Sequence, residues 1–150
     1  DWSVIEENRR RMIEECPDVY FEITPTVSIM NVYHLPDFHK EWIDKGLLEP
    51  QNVRMNILTY PTEYRIQIIP PKERKKFVDK YEKHIKWIGD NFGDGAAKRG
   101  FESVLDFLQQ ENYENLVPDF IDRNTPLDKL RGESLYQVAP ELEFFRDYEY

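Results

Sequence analysis

Glu22-Ile23-Thr24-Pro25-Thr26-Val27-Ser28-Ile29-Met30-Asn31 is the stretch on which the reading of this 150-residue sequence turns. Its β-branched residues, with Val19-Tyr20-Phe21 just before it, spell strand. Pro25 has no N–H to give to a ladder, so it splits the strand or marks a bulge. Strand alternation puts Thr24, Thr26, Ser28 and Met30 on one side and Val27 and Ile29 on the other. Working upstream, Trp2, Ile5, Arg9, Met12 and Ile13 fall at helical spacing, and Pro17 closes that helix. Working downstream, Pro36 suits a first helical turn, Phe38, Trp42 and Ile43 share a face, and Gly46 is the stop.

Two more extended runs follow, Val53 to Leu58 ending at Tyr60-Pro61, and Tyr64 to Ile69 ending at Pro70-Pro71. After Pro71 only helical patterns remain. Phe77, Val78, Tyr81, Ile85 and Ile88 mark a long amphipathic helix, Phe92-Gly93-Asp94-Gly95 a turn, and Phe101, Val104, Leu105 and Leu108 a second helix. Leu116 to Ile121 is a short third helix. Thr125-Pro126 reads as an N-cap with proline behind it, starting another, and Ser134 caps a last turn. The acidic, aromatic tail from Glu141 to Tyr150 is expected to fray.

Strands separated by helices are βα units with parallel strands, which gives an α/β fold class. Parallel strands need cover on both faces, and so few of them cannot supply it for each other. The front of the chain therefore reads as an incomplete α/β unit whose parallel neighbours lie outside these positions.

Composition narrows function. The apolar content of 40% is enough for a core, and no run approaches the roughly 18–20 apolar residues of a membrane span. A net charge of −9, from 29 acidic and 20 basic residues, disfavours nucleic acid as a direct partner. The densest basic stretch, Lys72 to Lys76 with Arg74, is interleaved with Glu73, Asp79 and Glu82 and reads as a solvated face. No charged-then-apolar leader opens the chain, and it begins directly on a helical pattern without Met, which leads us to expect an excised or processed piece in the cytoplasm. The one cysteine, Cys16, precludes an internal disulfide and any multi-thiolate zinc or iron–sulfur site, and reads as structural or incidental.

Three stretches carry a resemblance. Glu22 to Pro36, with its Thr-Val-Ser alternation followed by Asn31, is similar to a late strand of radical SAM proteins of the SPASM and twitch subgroups. Asn56-Ile57-Leu58-Thr59-Tyr60-Pro61 resembles the strand after it. Thr125-Pro126-Leu127-Asp128-Lys129-Leu130-Arg131-Gly132-Glu133-Ser134, with Pro140-Glu141-Leu142, resembles the C-terminal signature of the twitch-domain radical SAM family found in many phage genomes. The resemblance covers about residues 1–142. It implies that residues 1–71 are the C-terminal βα units of a partial (βα)6 TIM-like barrel, and residues 72–150 a helical C-terminal extension.

In that family a C-x3-C-x2-C loop holds a [4Fe–4S] cluster that reductively cleaves S-adenosylmethionine to a 5′-deoxyadenosyl radical. This sequence contains no such motif, so the resemblance assigns the cluster to an upstream half of the same polypeptide. Residues 72–150 contain no cysteine either, so neither this cluster nor an auxiliary one is held by thiolates of this chain. Alone, the chain is not expected to be catalytic.

On that reading Thr26, Ser28 and Asn31 are the candidate contacts to S-adenosylmethionine, at the mouth where α/β barrels place their sites. A polar surface explains Thr26 and Ser28 equally, and a turn or cap explains Asn31. Asn56, Arg65 and Gln67 are candidate substrate contacts; a satisfied core amide is the other role for Asn56, and an exposed edge strand the other for Arg65 and Gln67. His34, Asp37 and His39 tempt a metal reading, but their spacing departs from the i,i+4 pairing of helical metal ligands, and an exposed His39 is expected. Trp42, Trp87, Tyr81 and Tyr113 read as packing anchors. The competing function is a non-catalytic acidic module that docks a protein partner through Phe144, Phe145, Tyr148 and Tyr150.

Overall fold

The computed structural model describes residues 1–148. Its centre is a βαβ unit: β1 (Thr26–Val27), α2 (Leu35–Asp44) and β2 (Asn56–Ile57). The strands are parallel, with Thr26 opposite Asn56 and Val27 opposite Ile57, and an isolated bridge pairs Ile23 with Val53. Between them run Ile23 N–H to the Asn52 carbonyl (3.0 Å), Arg54 N–H to Ile23 (2.9 Å), Asn56 N–H to Pro25 (3.1 Å) and Leu58 N–H to Val27 (2.9 Å). Pro25 sits in the middle as an acceptor alone, which is why regular pairing breaks into a bridge and a short ladder. The crossover helix α2 has Pro36 in its first turn, and Gly46, at φ 68°, follows its end in the left-handed region that favours glycine.

This sheet has two unlike edges and two unlike faces. The ladder uses the amides of Arg54, Asn56 and Leu58, so Met55 turns its own amide outward. There it meets Gly100 of α4 (Ala96–Gln109), where an added Cβ would come within 3.1 Å of Met55 Cγ; a glycine lets the helix lie against the β2 edge. The outer edge of β1 has no further strand among the described residues. Val27 and Val53 are buried beneath the helices, whereas Thr24, Thr26, Arg54 and Asn56 all stand exposed on the opposite face.

The third expected strand is not one. Thr62–Tyr64 and Ile66–Ile68 form two 3-10 turns. Ile66, Ile68 and Ile69 are all fully buried and Gln67 is nearly so, so the run has no solvent side for strand alternation to serve. Arg74, expected on a solvated face, is instead the clamp on this segment. Its guanidinium donates to the carbonyls of Ile69 (2.9 Å), Gln67 (2.9 Å), Gln110 (3.0 Å) and Glu111 (3.0 Å).

α3 (Pro71–Phe92) and α4 form the hairpin on which the core is built, with Phe77, Tyr81 and Ile88 facing Phe101, Val104 and Leu108. The same core takes in Val27, Ile29 and Ile66 from one side and Phe120 and Phe145 from the other, so it runs unbroken across position 71. α5 spans Val117–Arg131 without interruption, so Thr125-Pro126 does not begin a helix. Pro118 takes the first turn, buried Val117 and Phe120 anchor the start, and the later Pro126 lies on the exposed side. After α6 (Leu135–Val138), the expected frayed tail is a 3-10 helix over Pro140–Tyr148, with Leu142 and Phe145 fully buried. Phe144 and Tyr148 are half-buried against that core, and Tyr150 lies outside the described residues.

α1 (Trp2–Glu15) buries none of its residues. It touches a small second cluster of Trp42, Leu47 and Leu48 through the Trp2 ring, 6.0 Å from Phe38 and 5.9 Å from Trp42, and through Arg9, which donates to the Leu47 carbonyl at 2.9 Å. Val4, Ile5 and Ile13 remain exposed. Among the described residues no helix is long and apolar enough to cross a membrane. Helices carry most of the fold and the sheet stays at two parallel strands, an α/β unit of minimal size.

Candidate functional site

The expected cofactor residues lie together at the C-terminal end of β1. Regular strand stops at Val27, and Ser28 to Asn31 form a turn, so the alternation read through Met30 ends early: Thr24 and Thr26 are exposed while Ser28 is buried. Asn31 closes this turn. Its Nδ2 donates to the Thr26 carbonyl at 3.0 Å and its Oδ1 accepts from Ser28 N–H at 2.9 Å. These are backbone groups on the outer edge of β1, so the asparagine amide supplies the pairing a neighbouring strand would supply. Ser28 Oγ accepts from Met30 N–H at 3.3 Å. Ser28 and Asn31 thus have local work, and Thr26 alone of the three offers a free, exposed side chain.

Asn56 is exposed beside Thr26, on the same bare face, and is no core amide. Arg54 joins them and pairs with Glu22 at 3.4 Å across the two chains of the bridge. The face is therefore a polar patch of Thr24, Thr26, Arg54 and Asn56, backed by the apolar core.

Arg65 and Gln67 do not belong to it. Each starts from a 3-10 turn and faces the segment before α5. The Arg65 guanidinium lies 4.6 Å from the Tyr113 ring centroid, and Tyr113 N–H donates to the Gln67 carbonyl at 3.1 Å. Arg65 Nε and Gln67 Oε1 are both buried without a hydrogen-bond partner among the described residues. An exposed edge does not describe them: Gln67 is buried and Arg65 half-buried, whereas Asn56 is exposed.

The three residues of the metal reading diverge. His34 pairs with Glu141 at 2.8 Å, Asp37 pairs with Lys80, and His39 is buried rather than exposed. Its partner is His84 on α3, 45 positions away: His39 Nδ1 and His84 Nε2 are 2.9 Å apart, and His39 Nε2 is 2.9 Å from the Pro50 carbonyl. A carbonyl only accepts, so His39 carries its proton on Nε2 and its Nδ1 accepts from His84. Burial holds both imidazoles below the usual histidine range, His84 at about 3 with the neighbouring His39 adding to the effect, so both are neutral. No group of three or more metal-ligating side chains converges among the described residues. Sequence reading missed His84; its only signal is its place on the buried stripe of α3 with Phe77, Tyr81 and Ile88.

Comparison with protein-family models, with curated proteins and with solved structures finds no match for the chain.

Proposed function

We propose that the chain is the C-terminal part of a radical SAM enzyme, whose cluster loop and remaining strands are supplied by an upstream half of the same polypeptide. One observation carries the reading: the parallel sheet has a helix against one edge and, among the described residues, no further strand on the other. In a sheet assembled from successive right-handed βα units, an upstream strand joins β1 on the side away from β2. That edge carries no further strand among the described residues, only the Asn31 amide on the Thr26 carbonyl and the Ser28 N–H, which an incoming strand would displace, while the β2 edge, where no further unit would follow, is occupied by α4 at Gly100. The face left bare, with Thr24, Thr26, Arg54 and Asn56, is the one that would turn into the interior of a partial barrel. The exposed apolar side chains of α1 add a second surface fit for cover.

In this role the chain closes the barrel and contributes side chains to its polar lining. Thr26 and Asn56 are the residues placed to meet S-adenosylmethionine or substrate, and Asn31 to set the mouth of the barrel beside them. The family's cluster supplies the reductive cleavage of S-adenosylmethionine when bound; this chain supplies no ligand to it. The fold and the shared positions of Thr26 and Asn56 support this reading over a protein-docking module, because Phe145 is buried in the core and Phe144 and Tyr148 pack against it.

The test joins the chain to the coding sequence upstream of Asp1, reconstitutes the product with iron and sulfide, and assays 5′-deoxyadenosine formed from S-adenosylmethionine under reducing conditions. Turnover in the joined protein and none in the 150-residue chain is the expected result. An upstream sequence without C-x3-C-x2-C would end the proposal.

A further inference from the structure

A cleft of about 590 Å³ lies between α2 and α3, away from the bare sheet face and independent of the reading above. Its lining holds four lysines, Lys40, Lys76, Lys80 and Lys83, against two aspartates, Asp37 and Asp79, in a chain whose net charge is −9. Asp37 is paired with Lys80, Lys40 with Asp44 at 2.5 Å, and Asp79 with Lys75 at 2.6 Å, the last two partners, Asp44 and Lys75, lying outside the lining. Lys83 has no ion pair among the described residues, and Lys76, whose nearest carboxylate is Glu73 at 3.9 Å, donates to the Glu141 carbonyl at 2.8 Å. Lys80 is held inward over the Tyr33 ring at 3.8 Å. The cleft therefore holds more lysine than aspartate on an acidic protein, with Lys83 uncommitted, and is walled by Tyr33 and Trp87.

His84 forms part of its wall, although the residue is only 6% exposed. The order of protons fixed by the Pro50 carbonyl makes its Nε2 the donor to His39, so in the neutral ring Nδ1 is an acceptor, and no hydrogen bond to it is made among the described residues. An acceptor beside a set of ammonium groups suits a ligand that combines a phosphate with a hydroxyl.

We propose that this cleft binds a small hydroxyl-bearing phosphate monoester, with the phosphate on Lys76, Lys80 and Lys83 and a hydroxyl donating to His84 Nδ1.

β-Glycerophosphate is the probe, titrated calorimetrically into the 150-residue chain, with inorganic phosphate and glycerol as controls and the histidine ring nitrogens followed by 15N NMR. Saturable binding that shifts His84 Nδ1, exceeds that of inorganic phosphate, and weakens about tenfold or more in Lys83→Ala is expected, since that change removes a charge-assisted hydrogen bond. Lys83 is exposed and unpaired, so its loss leaves the fold intact; Lys129→Ala, a lysine outside the cleft, should leave binding unchanged. No saturation by about 10 mM, equal weakening by Lys129→Ala, or inorganic phosphate binding as tightly would each overturn the proposal.

Discussion

Lowering the pH from 7 to 5 should destabilise the fold through the buried histidine pair. In the folded chain His84 titrates at about 3, because it is removed from water and faces His39, with Lys40 and Lys80 nearby opposing its charge and only Asp37 favouring it. In the unfolded chain it titrates at the ordinary value of about 6.5. The unfolded state therefore binds the extra proton first. The neutral ring's full contribution is present above about 6.5 and is lost as the pH falls toward 3, since stability rises with pH wherever the unfolded state holds more protons. Between pH 7 and pH 5 the free-energy difference comes to about 2 kcal/mol for His84 alone. His39, shifted in the same direction by burial, adds to it. The window lies above ordinary carboxylate titration, so the 29 acidic residues contribute little there. Urea unfolding followed by far-UV circular dichroism at both pH values measures the loss. His84→Gln, which retains an amide donor for His39, should be less stable at pH 7 and should lose most of the pH dependence. An unchanged difference between pH 7 and pH 5 in that variant would refute the assignment.

Arg74→Met should lower stability by about 2–4 kcal/mol, read as a drop in urea midpoint, because four carbonyls lose a shared donor at a partly buried site. Arg74→Lys should recover only part of this, since an ammonium cannot span the four acceptors. Phe145→Ala should cost about 3–5 kcal/mol, as a fully buried aromatic ring would leave a cavity beside Phe120; a frayed tail would make it silent in the same unfolding assay.

The legible parts of the fold were those with one dominant local signal. The helical spacing of Trp2 to Ile13, the Pro36 start and Gly46 stop of α2, and the apolar stripes of α3 and α4 all hold, as do two parallel strands joined by a helix. The failures share a cause. At Tyr64 to Ile69, alternation of Ile66 and Ile68 with polar residues suggests strand, but tertiary burial covers both sides, and the carbonyls bond to Arg74 and Tyr113 instead of a ladder. At Thr125-Pro126 a local start signal was outweighed by the anchors Val117 and Phe120 upstream. Of the bare sheet face, the exposure of Thr26 followed from strand alternation, whereas that of Asn56, read either as a substrate contact or as a core amide, did not. Ser28, Arg65 and Gln67 were not legible, because the backbone leaves regular structure at or before each. The pairing of His39 with His84 spans 45 positions, and no spacing rule reaches that far.

The glycine at position 100 gives this small sheet a direction of growth. With α4 pressed against one flank, any β-pairing with another chain must take place on the other. Two copies that met there would displace the Asn31 amide from each flank and use up both at once, so pairing through this sheet would stop at two copies.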